Sequence, residues 1–140
     1  MESLWIGKVI NEIVVSEKNM IDLEDSSINI VFASEEQMKS LNLEYRRKNF
    51  STDVLAFKYE DNDFNDEEKI SGEIVIAEEY IRRQAKEEGV PYNEELARMI
   101  IHGFLHILGY DHKNKKDLKN MTEKTENYLS LTRGYWEDMK

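Results

Sequence analysis

All three histidines of the chain fall within one eleven-residue stretch, His102-Gly103-Phe104-Leu105-His106-Ile107-Leu108-Gly109-Tyr110-Asp111-His112. This stretch constrains the fold more than any other. Residues four apart on a helix share a face, so His102 and His106 can aim two imidazoles at one point. The apolar residues around them ask for a buried helix. Gly109 lets the chain leave that helix sharply, which can bring His112 back towards the same point.

Three neutral imidazoles suit Zn²⁺, and three protein ligands leave a fourth position open for water, the catalytic arrangement. The pKa of such a water falls from about 15.7 to about 7, so hydroxide becomes available at neutral pH. Histidines bring no charge of their own, so the site keeps the metal's full charge and favours an anionic substrate such as a phosphodiester. A solitary histidine in an apolar helix is ordinarily a hydrogen-bonded core residue; three at this spacing are poorly explained that way. A structural zinc site is the stronger rival, closed by a fourth ligand such as Asp111. The spacing also matches the zinc frame of metzincin proteases. Those enzymes carry a glutamate base after the first histidine, and Gly103 stands there instead. Peptidase chemistry would need a base from elsewhere.

Composition narrows the class. The 140 residues suit one domain spanning 1–140, and 40% hydrophobic residues can build a core. There are no cysteines, which removes disulfides, thiolate metal sites and cysteine nucleophiles and fits a cytoplasmic protein. Lys8 within the first apolar stretch makes a poor signal peptide, and no run approaches a membrane span. The formal charge is −10 but uneven: residues 1–50 carry −3, residues 51–100 carry −8 and residues 101–140 carry +1. In the last segment Lys113, Lys115, Lys116 and Lys119 follow closely. They read as a solvated face, or as a phosphate-binding patch if a site lies beside them.

Periodicity predicts an α+β fold, a small mixed β-sheet packed with several helices, with the three-histidine metal site at the end of a buried helix. Trp5, Ile6, Val9, Ile10, Ile13 and Val14 recur at helical spacing, to about residue 18. Strands are expected over 27–33, 52–59 and 70–77, with an acidic loop over 60–68. Ser34 and Gln37 form a capping box for a short helix that ends before Arg46-Arg47-Lys48. A helix over 78–88 stops at Gly89 and Pro91. Asn93 is expected to cap the histidine helix, which reaches about Leu108, and Asn114 a last helix running through Leu129.

The histidine stretch resembles the signature of the YbeY family, metal-dependent endoribonucleases that act as rRNA maturation factors. Three further blocks carry the resemblance in order. They are Leu41-Asn42-Leu43-Glu44-Tyr45-Arg46-Arg47-Lys48, Thr52-Asp53-Val54-Leu55-Ala56-Phe57 and Gly72-Glu73-Ile74-Val75-Ile76. Together they cover most of residues 27–130. Ser51 stands where the family usually has proline, Ala56 replaces its serine and Glu73 its aspartate. The chain is also expected to lack the family's first strand.

The resemblance implies single-strand-specific RNA cleavage, with roles in rRNA processing and ribosome quality control. It implies one zinc ion held by His102, His106 and His112, and a functional arginine at Arg46. Arg46 and His102 are then the candidate catalytic residues, and Arg46, Lys113, Lys115 and Lys116 the substrate-binding ones. A guanidinium can grip two phosphate oxygens and stabilise the charge that builds during phosphoryl transfer. Asp111 is a candidate to orient a ligand; Thr52 and Glu73 are weaker site candidates. The expected partners are single-stranded RNA, above all rRNA, with ribosomal proteins possible and neither membrane nor DNA. Two rivals stay open: a ribosome-associated binding factor with a structural metal, and a metal hydrolase for another anionic substrate.

Overall fold

The computed structural model describes residues 4–18, 27–58, 71–110 and 113–137. The elements run α1 (Leu4–Lys18), β1 (Ser27–Ala33), α2 (Glu35–Arg46), β2 (Val54–Lys58), β3 (Ser71–Ala77), α3 (Glu78–Glu88), α4 (Tyr92–Ile107), α5 (Lys115–Leu131) and α6 (Arg133–Trp136). The sheet order is β1-β3-β2. β1 runs parallel to β3, with Ile30 opposite Ile74, and β2 runs antiparallel to it, with Ala56 opposite Ile74. The expected mixed sheet is therefore present, with β3 at its centre. None of their helices is long and apolar enough to cross a membrane.

The central strand is covered on both faces, and its alternation shows how. Ile74 and Ile76 join the main core, built from α1, α4 and α5. Val75 and Ala77 join a smaller cluster with Met38 of α2 and Leu55 of β2. α4 is the buried helix the sequence asked for: Ile100, Ile101, Phe104 and Leu105 have no exposed surface. Two glycines stand at contacts of the sheet, and one of them, Gly72, is required by its surroundings. A Cβ on Gly103 would sit 3.4–3.5 Å from side-chain atoms of Val54, Ala56 and Ile74, so α4 lies directly on the sheet. A Cβ on Gly72 would run into the Phe57 carbonyl oxygen of β2.

Element ends depart from expectation in four places. β2 begins at Val54, two residues after the expected Thr52. α2 includes Arg46, and Arg47 closes it in the left-handed conformation with φ of 57°. Asn93 does not cap α4: Pro91 holds the cap position, and Asn93 Nδ2 donates to the Trp136 carbonyl at 3.1 Å, tying α4 to α6. The last helix runs two residues beyond Leu129 and continues into α6, where Trp136 is buried and its indole N–H donates to the Leu129 carbonyl. The capping box at Ser34 and Gln37 and the Asn114 cap both form as expected. Tyr59, the 60–68 loop and Ile70 lie outside the described residues.

Candidate functional site

β2 is an edge strand, and its outer side opens into a cleft of about 840 Å³. One wall is the last turn of α2, with Tyr45 and Arg46; the other is α4, with Met99, His102 and His106. The i,i+4 spacing does what helical geometry requires. The His102 and His106 rings meet edge to face with centroids 4.9 Å apart, both half-buried and both lining the cleft. They present the paired imidazole donors that a divalent metal such as zinc accepts. Gly103 lies between them against the sheet. With glycine there, the position supplies no side chain to act as the protease's base.

Arg46 and Lys58 bring positive charge into this cleft of an acidic protein. Arg46 also lies at the C-terminal end of a helix, where a cation is favoured. The segment joining α2 to β2 is pinned at both ends. The Asn42 amide donates to the Phe50 carbonyl at 2.8 Å. Asp53 accepts the Val54 N–H at 2.8 Å and the Thr52 hydroxyl at 3.3 Å. Thr52 and Asp53 line the cleft as well, whereas Glu73 lines a groove on the α2 side of the sheet.

The chain beyond His106 is fixed as far as Tyr110. Gly109 takes φ of +108° and its N–H bonds the His106 carbonyl, while the Tyr110 N–H bonds the Leu105 carbonyl, both at 3.0 Å. The hydroxyls of Tyr110 and Tyr128 both donate to the Glu17 carboxylate, and Lys124 Nζ reaches it at 2.9 Å. Burial would push the Glu17 carboxyl up, but these three donors outweigh it and hold it below the ordinary range. Burial and the Glu17 charge push the Tyr128 hydroxyl up.

Asp111 and His112 lie outside the described residues, and among the described residues no three His, Cys, Asp or Glu side chains are grouped to hold a metal. Two of the three expected ligands are thus brought together, with Arg46 across the cleft. Lys113, Lys115 and Lys116 are exposed at the start of α5 and are not among the residues lining the cleft. Sequence reasoning missed Tyr45, Lys58 and Met99. Tyr45 lies inside one quoted block and Lys58 directly follows another, but only the packing of α2 beside β2 puts them in one cleft.

A helix carrying paired histidines, laid on a small mixed sheet and facing an arginine across its edge strand, defines a compact α+β protein with a cationic, imidazole-lined cleft. The family profile for endoribonuclease YbeY matches residues 2–133, and the chain belongs to that family. The expectation of an RNA-cleaving hydrolase is borne out at that level. Endoribonuclease YbeY of Buchnera aphidicola from Schizaphis graminum is 40% identical, over 94% of this chain and 76% of its own length. That of Persephonella marina is 32% identical, over 92% and 85%. A solution structure of a Thermotoga maritima protein superposes with a TM-score of 0.64 at 31% identity, covering 94% of this chain and 81% of that one.

Proposed function

We propose that this protein is a zinc-dependent endoribonuclease specific for single-stranded RNA, acting in the cytoplasm in rRNA maturation and ribosome quality control. The observation that carries the reading is the meeting of His102, His106 and Arg46 in one cleft. His102, His106 and His112 hold the metal. When bound, zinc supplies Lewis acidity and a nucleophile-generating centre at neutral pH.

The chain's own residues do the rest. Arg46 clamps two oxygens of the scissile phosphate and stabilises the charge that builds there, and it acts with His102 as the catalytic pair. Lys58 adds positive charge beside it. Lys113, Lys115 and Lys116, outside the cleft lining, hold the RNA backbone further along, a contribution that weakens with salt. On a chain of net charge −10 such local patches are needed for RNA to approach.

The test is cleavage of a labelled single-stranded RNA, with a duplex of the same sequence beside it. Cutting of the single strand alone, lost on chelation and restored by zinc, is the expected result. Cutting that survives complete chelation overturns the metal-dependent reading. RNA binding without cutting by protein carrying one zinc per chain favours the binding factor instead.

A further inference from the structure

The α2 side of the sheet carries a second concavity, of about 920 Å³, with Val31, Phe32, Leu41, Tyr45 and Phe57 in its lining. It meets the histidine cleft at Tyr45, Phe57 and Lys58, which line both. The Tyr45 and Phe57 rings lie 4.9 Å apart at 59°, yet Tyr45 remains 59% exposed. Successive helical residues point about 100° apart. Arg46 thus faces the cleft alone, while Tyr45 stands at the junction. We infer that Tyr45 is the stacking platform for the nucleobase next to the phosphate held by Arg46, and that this base enters the apolar groove.

The inference rests on the reading of Arg46 as a phosphate-holding residue. In a nucleotide the phosphate and the base are one sugar apart, and a guanidinium followed by a divergent, exposed aromatic ring matches that order. Every base has a π-face, so the platform accepts any of them. Glu36 and Glu73 also line the groove and repel a phosphate. The backbone therefore stays at Arg46 and Lys58, and only the neutral base enters.

The experiment compares adenosine 5′-phosphate with ribose 5-phosphate, titrated into the zinc-loaded protein and followed by NMR. Wild type is expected to prefer the nucleotide by about fivefold or more, the effect of one stacked base, with adenine protons moving upfield. Tyr45→Phe keeps the preference. Tyr45→Ala erases it while leaving the affinity for ribose 5-phosphate and the melting temperature unchanged. A preference that survives in Tyr45→Ala, or equal binding of the two ligands by wild type, overturns the stacking platform alone. Failure of wild type to bind either ligand overturns the phosphate-holding reading of Arg46 and the platform with it.

Discussion

The two faces of the sheet are built to different standards. On the α4 face, Phe104, Ile100, Ile101, Leu105, Ile74 and Ile76 pack into one continuous core that reaches α1, α5 and α6. Its rim is closed by ionic clamps. Arg98 binds Glu94, Glu95 and Glu126 at once, and Glu17 collects Tyr110, Tyr128 and Lys124. On the α2 face, among the described residues, only Met38, Leu55, Val75 and Ala77 form the buried cluster, and Val31 is 39% exposed. The difference assigns roles. The histidines stand on the close-packed side, where a displaced ring would disturb many contacts. Arg46 and Tyr45 come from the looser side, where exposed apolar surface is left for a ligand. β2, at the edge of the sheet among the described residues, is the seam between the two.

The largest effect should come from opening the dense face. Phe104→Ala is expected to destabilise the fold by about 3–5 kcal/mol, read as a shift in urea midpoint, because the cavity lies under α4 and cannot collapse onto solvent. Breaking the clamp at its rim comes next. Glu95 is 1% exposed; Arg98 and Gln84 donate to it, and the Glu88 carboxyl also bonds it. Arg98→Met leaves that buried carboxylate beside Gln84 and Glu88 without its cation and should cost about 3 kcal/mol by the same measurement.

A smaller, pH-dependent effect belongs to Glu17. Its carboxyl is held below the ordinary value of 4.5, so its contribution is fully present above that pH. The contribution is lost as pH falls through the lower folded value, where the unfolded chain already binds the proton. Urea titrations between pH 6 and 3 should show wild type losing stability in this window. Glu17→Gln should be less stable than wild type at pH 6, and the gap should narrow as pH falls below 4.5. The smallest effect is expected on the open face: Val31→Thr, an isosteric change at a side chain 39% exposed, should change stability by no more than about 0.5 kcal/mol. A loss comparable to that of Phe104→Ala would erase the contrast between the faces.

The histidine helix was legible because its signals are local. The i,i+4 pair, the apolar stripe and Gly109 are written within eleven residues, and the Ser34 and Asn114 caps need only three. What the sequence did not disclose depends on distant pairings. Asn93 looked like a cap until Trp136, 43 residues on, claimed its amide. Nothing near Glu17 announces partners 93 and 111 residues away. Tyr45 carried no sign that it would stand between two concavities, since that follows only from α2 lying beside the end of β2. The lysines after His112 illustrate the converse: closeness in sequence to the histidines did not put them in the cleft lining.

The central claim is that the histidines and Arg46 form one cleaving site, the histidines holding metal and the arginine holding phosphate. It is tested most directly by measuring zinc content and single-stranded RNA cleavage together in wild type, His106→Ala and Arg46→Ala, purified identically. The account predicts that His106→Ala loses both the metal and the cutting. Arg46→Ala should keep one zinc per chain and lose about 10²–10³ in kcat/KM, the usual effect of removing one group that stabilises transition-state charge. Cleavage by His106→Ala equal to wild type would contradict the account, and so would an Arg46→Ala protein that keeps full activity.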